Sequence, residues 1–279
     1  MIPVTQTPLL YDSHMHTPLC KHSRGEPEEF AATAARRGLK GIIFTCHNPG
    51  PTPDFSARFR MAMSQLDNYV ALVDRARQAW AGRVDVRLGL ECDYMPGLEP
   101  FLADLLNRAD FHHVLGSLHP MLDYYLDAHY HGDPFAFQQL YFEHLAQSAE
   151  TGLFDTLSHP DLVKNVFPKD WRLEPLLDDI RRSLDRIAKT GVAMELNTSG
   201  LQKAIREMNP NPTMLAEMQQ RGIPVVIGSD SHEPGRVGAN FEDAFDLLET
   251  AGYTHVSFFL DRKRQEISLE NGRSSLLPH

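Results

Sequence analysis

The chain has 279 residues, 42% hydrophobic and 23% charged, the balance of a globular protein long enough for one full-size α/β barrel or two ordinary domains. Its 27 basic and 37 acidic residues give a net charge of −10, which argues against a nucleic-acid polymer as partner and requires any anionic ligand to be drawn in by a local positive site. No apolar run is long enough to span a bilayer, and Met1 to Pro8 lack the basic start and apolar core of a secretory signal, so no membrane association is expected. The cysteines, Cys20, Cys46 and Cys92, are odd in number with no Cys-x-x-Cys spacing, which points to a reducing cytoplasm. Each stands within two residues of a polar candidate ligand, but a buried, inert thiol is the expected state.

Leu9 and Leu10 lead into Tyr-Asp-Ser-His-Met-His, read as the end of a first strand. His14 and His16, at i and i+2, then point the same way and can share a metal ion. Pro18 stops the strand, and the next loop delivers His22. A helix is expected from Glu26-Pro27 to Arg36-Arg37 with its stop at Gly38, then a buried strand over Lys40–Thr45 ending at Cys46-His47. After a Pro/Gly loop through Pro53, a long amphipathic helix is expected from about Ser56 to Trp80, followed by strand three, Asp85–Glu91. Helix Leu98–Asn107 precedes strand four, His113–His119, which Pro120 closes. Met121–Pro134 reads as an irregular, aromatic segment suited to a lid.

A helix over Phe135–Glu150 is followed by strand five, Phe154–His159, and a helix over Glu174–Thr190 by strand six, Val192–Asn197. Two Asn-Pro pairs between Asn209 and Pro212 precede helix Thr213–Arg221 and strand seven, Pro224–Asp230, with His232 just beyond. A last helix, Phe241–Thr250, and a short strand, His255–Leu260, complete the reading. No linker or repeat interrupts the chain, so a single domain over residues 1–279 is expected. Seven or eight βα units imply a closed or nearly closed parallel barrel; a doubly wound open sheet is disfavoured because no Gly-rich phosphate loop follows strand one.

In such a barrel all strand C-termini share one mouth. His14, His16, His22, His47, Glu91, His119, His159, Asp230 and His232 would meet there, half of the chain's fourteen histidines among them. A second His-x-His, His129-Tyr-His131, lacks a preceding strand and is read as a solvated or substrate-facing loop. Nine ligands exceed the needs of one or two ions, and one bridging carboxylate would let them serve three. Imidazole-rich ligation selects zinc, iron, manganese or cobalt. Three divalent ions, two carboxylates and one hydroxide leave a local charge of about +3, suited to a phosphate dianion, and the ions would generate the hydroxide nucleophile.

Taken together, His14-Met-His16, Glu91, His119, His159 and Asp230-Ser-His232 resemble the ligand set of the PHP (polymerase and histidinol phosphatase) superfamily. The stretches His16–His22, Ser158–Lys164, Asn197–Leu201 and Gly228–His232 are similar to its histidinol-phosphate phosphatases, over nearly the whole chain. The resemblance implies a distorted (β/α)7 TIM-like barrel with a trinuclear centre of Zn, Fe or Mn. His14, His16, Glu91 and Asp230 would hold one ion, Glu91, His119 and His159 a second, and His22, His47 and His232 the third. Glu91, Asp230 and His232 would carry the catalysis, and L-histidinol phosphate would be the substrate.

The chain departs from the family at Cys46, where Asp is frequent, and at Gln202, where Arg is frequent. Lys203 or Arg206 would compensate for the latter, while Lys164 and Asn197 are the expected substrate-binding residues, and Asp161 and Asp12 the acceptors that orient the histidines. Rival readings are a PHP phosphoesterase acting on nucleotides, a metal-dependent amidohydrolase, which needs no His22, His47 and His232, and a degenerate barrel kept as an interaction module. The sequence is compatible with a homo-oligomer.

Overall fold

A computed structural model of the chain describes residues 9–55 and 57–278. Its strands are β1 (Tyr11–Met15), β2 (Gly41–Phe44), β3 (Asp85–Asp93), β4 (His113–Ser117), β5 (Thr156–Leu157), β6 (Ala193–Asn197), β7 (Val225–Gly228), β8 (His255–Leu260) and β9 (Lys263–Ser268). They form one sheet in sequence order, parallel from β1 to β8, with β9 antiparallel to β8. The helices are α1 (Pro27–Arg36), α2 (Leu66–Ala79), α3 (Glu99–Leu106), α4 (Asp123–His129), α5 (Pro134–Glu150), α6 (Leu177–Ile187), α7 (Pro212–Gln220), α8 (Phe241–Ala251) and α9 (Leu269–Ser275). This is the (β/α)7 pattern with an added C-terminal hairpin. None of the helices is long and apolar enough to cross a membrane among the described residues.

The barrel is not strictly closed. β1 meets the end of β7 at a single bridge, Met15 to Ser231, where His16 N–H donates to the Ser231 carbonyl at 2.9 Å and Ser231 N–H to the His14 carbonyl at 3.2 Å. Closure therefore occurs at the mouth, beside the first two candidate ligands. At the other end the β8–β9 hairpin packs into the gap: Phe258 stacks on Tyr11 at 4.7 Å, and Phe259 stacks on buried His113 at 5.0 Å while packing on Ala193 and Val226. Asp261 and Arg262, both at positive φ, make the tight turn of that hairpin.

Local chemistry accounts for most element boundaries. Glu29 Oε2 accepts the Glu26 N–H at 2.7 Å at the start of α1, Pro27 occupies its first turn, and Gly38 follows at φ +72°. β2 is buried along its whole length, as a strand between two other strands and a layer of helices must be. The expected helix from Ser56 to Trp80 begins only at Leu66, after a 3-10 turn at Met63–Gln65; Ser56 itself lies outside the described residues. The chain is held away from helix geometry because Arg60 turns inward to pair with Asp93 and to donate to Asn48 Oδ1 at 3.2 Å. Met121–Pro134 is not wholly irregular: α4 forms there, with Tyr125 buried against Phe137 and His144. β9 and α9 go beyond the expected elements, since Lys263–Ser268 is polar, mostly exposed, and becomes a strand only by pairing with β8.

Lys164 belongs to this framework. Its side chain is fully buried, and Nζ reaches Asp161 Oδ2 at 3.0 Å, the Met208 carbonyl at 2.9 Å and Glu207 Oε1 at 3.3 Å. Asp161 in turn accepts from Asn209 Nδ2 at 2.6 Å and Asn211 N–H at 2.8 Å, so the pair rivets the loop after β5 to the loop before α7. Breaking a buried pair by removing one charge costs about 3–5 kcal/mol. Lys164→Met should therefore lower the urea midpoint by that equivalent without changing the slope; an unchanged midpoint would refute the rivet.

Candidate metal centre

Strand alternation sends Glu91 and Asp93 to the same side of β3, at the end that faces the mouth. Glu91 is fully buried and its two oxygens face different imidazoles. Oε2 lies 2.7 Å from His47 Nδ1, 3.6 Å from His14 Nε2 and 3.7 Å from His16 Nε2. Oε1 lies 3.0 Å from His159 Nε2 and 3.6 Å from His119 Nε2, and accepts from Ser117 Oγ at 2.7 Å. Asp230 Oδ1 sits 3.1 Å from His16 Nε2 and 3.6 Å from His14 Nε2. His232 Nε2 and His22 Nε2 are 2.9 Å apart at the exposed edge. All nine expected ligands are thus brought to one mouth. His129 is elsewhere, ringed by Tyr125 and His144.

The donor atoms gather into groups of three within 4.8 Å: His14, His16 and Asp230; His47, Glu91 and His119; His16, His47 and His232; and Cys20, His22 and His232. His47 is shared between two groups, one with Glu91 and His119 and one with His16 and His232, rather than confined to the expected set with His22 and His232, and Cys20 joins a group that sequence reasoning did not give it. The residues fit transition-metal ions: His14 Nε2, His47 Nδ1 and Glu91 Oε2 are buried and make no aligned hydrogen bond, even where His47 Nδ1 and Glu91 Oε2 stand 2.7 Å apart.

Electrostatics say the same. Burial raises the Glu91 carboxyl, but the imidazoles of His47, His14 and His119 outweigh it and hold it well below the usual carboxylate range. Burial opposes the His14 cation, yet Glu195, Asp230 and Glu91 carry its pKa well above the ordinary value, and the Asp230 bond brings His16 up to about 9. Burial lowers His119 to about 4 and His232 to about 3, which favours the neutral form that metal ligation requires. The carboxylates around His14 and His16 thus favour positive charge at that point, which a bound cation supplies equally well.

Two carboxylates that sequence reasoning missed fix the imidazoles. Glu195 Oε1 is 2.7 Å from His14 Nδ1, and its Oε2 accepts from His159 N–H at 2.9 Å. Asp93 Oδ1 is 2.7 Å from His119 Nδ1, and Oδ2 accepts from Tyr124 Oη at 2.5 Å and pairs with Arg60. Backbone carbonyls of Cys20 and Asp230 do the same for His22 and His232, at 2.7 and 3.0 Å, leaving each Nε2 toward the centre. The i, i+2 spacing of Glu91 with Asp93 and of Glu195 with Asn197 was the available signal. Gly228 makes room for the first of these pairs, since a Cβ there would stand 2.0 Å from Glu195 Oε1 and 2.7 Å from His14 Cβ.

The expected orienting residues act otherwise. Asp12 accepts Ser229 N–H at 3.0 Å and Gly238 N–H at 2.9 Å, bracing β1 against the loop after β7, and Asp161 serves Lys164 and two asparagines. Lys164 as a phosphate ligand is likewise corrected, because its ammonium is enclosed and fully partnered. Asn197 is buried, with Nδ2 on Glu195 at 3.0 Å and Oδ1 accepting Ser199 N–H at 3.0 Å, so it caps and braces rather than facing substrate. Arg206 is exposed and does not line the adjoining cleft.

That cleft, about 620 Å³, opens beside Asp230, His22 and His232. Lys21, Arg24, Lys203 and Arg236 bring cations to it, Lys203 Nζ lying 3.8 Å from Asp230 Oδ2. With its amide turned, the Gln202 oxygen accepts from Arg236 Nη1 at 2.9 Å, so a guanidinium stands at Gln202 after all, delivered from another loop.

A barrel whose mouth joins seven imidazoles and two carboxylates to a cationic cleft defines a metal-dependent hydrolase of anionic substrates. The chain belongs to the PHP domain family, whose model matches residues 12–199. It is 39% identical over 255 residues to a probable histidinol-phosphatase of Deinococcus radiodurans, covering 89% of this chain and 96% of that one. It is 29% identical to the histidinol-phosphatase of Bacillus subtilis, over 83% of this chain and 96% of the other. Among solved structures, the histidinol phosphate phosphatase of Lactococcus lactis, crystallised with zinc, L-histidinol and phosphate, superposes with a TM-score of 0.76 at 18% identity, covering 92% of this chain and 98% of that one.

If Glu195 sets the tautomer of His14, Glu195→Gln should weaken transition-metal affinity about 10- to 100-fold. Competition against a chromophoric chelator measures this, and wild-type affinity would remove Glu195 from the centre.

Proposed function

We propose that this chain is a single-domain, cytoplasmic, metal-dependent phosphatase that hydrolyses L-histidinol phosphate to L-histidinol and phosphate, a step of histidine biosynthesis. One observation carries the hydrolytic reading: Glu91 presents one oxygen to His14, His16 and His47 and the other to His119 and His159, as a carboxylate bridging two ions would. The near full-length likeness to curated histidinol-phosphatases supports the substrate.

His14, His16, Glu91 and Asp230 would hold one ion, Glu91, His119 and His159 a second, and His22, His47 and His232 a third. When bound, such ions neutralise phosphoryl charge and make water nucleophilic at neutral pH. Glu195 and Asp93 hold His14 and His119 in the tautomer that leaves Nε2 free. Ser199 Oγ, 2.9 Å from Asp230 Oδ2, steadies that carboxylate next to the cleft. Lys203 and Arg236 approach the phosphate from the cleft side, which lets a chain of net charge −10 gather a dianion. Tyr124 of α4 and Arg60 of the loop before α2, both on Asp93, join two mouth segments to the His119 position.

Elemental analysis of undepleted protein should find about three transition-metal ions per chain, at the usual three or four ligands each; one ion or none would sink the trinuclear reading. Glu91→Gln should lower phosphate release from histidinol phosphate by orders of magnitude while circular dichroism stays native. Lys203→Met should lower kcat/KM about ten- to a hundred-fold, with part of the loss in KM because the phosphate is charged in both ground and transition states. An effect within about two-fold, with metals retained, would place Lys203 outside the substrate site.

A further inference from the structure

Two of the three cysteines have no part in the proposed hydrolysis, yet they flank its third ion position. Cys20 ends the 3-10 turn Pro18–Cys20, two residues before His22, and Cys46 follows β2 and immediately precedes His47. Both are fully buried and both thiols are free. Their sulfurs and one nitrogen of His16 lie within 4.8 Å of one another, and the Cys20 sulfur lies within the same distance of nitrogens of His22 and His232. Cys92, also buried, shares in none of these groups.

The pair lies just beneath the cleft wall. His22 and His232 line the cleft, and the buried Cys20 sulfur stands within 4.8 Å of their nitrogens. The sulfurs have only to close from within 4.8 Å to the S–S bond length of about 2 Å. The thiol of Cys46 is otherwise held only weakly, accepting from Thr17 Oγ1 at 3.3 Å and donating to the Thr17 carbonyl at 3.7 Å.

We propose that Cys20 and Cys46 form an oxidation site, and that their disulfide disables the third ion position. The consequence for activity rests on the metal-dependent reading above; formation of the bond does not. With hydrogen peroxide as oxidant, the two S–H bonds and the O–O bond break and one S–S bond forms. The sulfurs give up two electrons, and the two thiol protons leave with the two oxygens as two waters. Closing the bond drags Cys20 toward β2. The Cys20 carbonyl, which holds His22 Nδ1 at 2.7 Å, moves with it. Lys21 between them sits at φ +69°, so this short stretch has little freedom to absorb the shift. His22 then turns away from His47 and His232, and the third ion loses ligands.

The test treats metal-reconstituted, reduced protein with a few equivalents of hydrogen peroxide, then alkylates remaining thiols for mass spectrometry under non-reducing conditions. The expected result is a loss of about 2 Da, a Cys20–Cys46 cross-linked peptide and one alkylated cysteine, Cys92. About one metal ion per chain should be released, phosphatase activity should fall ten-fold or more, and dithiothreitol should restore both after metal is resupplied. Cys46→Ser should give no cross-link and keep its metals through the same treatment. Three alkylated thiols after peroxide, a cross-link through Cys92, or equal metal loss from Cys46→Ser would each overturn the proposal. Should untreated protein hold no transition metal and release no phosphate, the hydrolase reading fails instead, while the cross-link still decides whether the thiol pair exists.

Discussion

A carboxylate shut away from water needs cations around it, and Glu91 is such a carboxylate. Five imidazole nitrogens from four strand ends surround its two oxygens at 2.7 to 3.7 Å. The rest of the mouth is arranged to keep that cluster in place. Either protons on His14 and His16 or bound metal ions balance the charge, and the orphaned nitrogens favour the ions. The barrel closes beside this cluster through the hydrogen bonds between His14, His16 and Ser231, so the centre and the closure of the fold share the same residues.

A polar mouth leaves apolar packing to other parts of the molecule. Most of the buried hydrophobic side chains form one cluster between strands and helices. Inside the barrel, Phe259 and His113 stack at the floor with Ala193 and Val226, below the polar layer. Carboxylates connect the zones. Asp12 ties β1 to the chain after β7, Asp93 gathers His119, Tyr124 and Arg60, and Asp161 rivets two loops through Lys164. Three buried acids thus have three different duties, set by what surrounds them rather than by residue type.

The departures at Gln202 and Cys46 are resolved differently. Gln202 orients Arg236, so the cleft keeps a planar cation that can bind phosphate with two hydrogen bonds. Cys46 puts a thiol where the family often has a carboxylate and places it beside Cys20 and His16, giving the centre an oxidisable neighbour.

The convergence of nine candidate ligands on one mouth, the alternation of strands and helices, and the barrel were legible in the sequence because each rests on local rules. A strand end alternates its side chains, a proline stops a ladder, and a glycine ends a helix. The start of α2 was not legible, because Arg60 is drawn inward by Asp93, thirty-three positions later in the chain. Nor was β9, which is polar and becomes a strand only because β8 offers it unpaired backbone. The roles of Lys164, Asn197, Asp12 and Asp161 were misassigned for one reason: a charged or polar side chain near a ligand in sequence can turn to either side of its loop, and only the folded neighbours decide which hydrogen bonds it makes. Glu195 and Asp93 became orienting groups, and Cys20 the neighbour of Cys46, through contacts across the barrel. The sequence alone determined which atoms could bind metal; the tertiary structure decided which buried charges partner them, because burial makes any unpartnered charge too costly to leave in place.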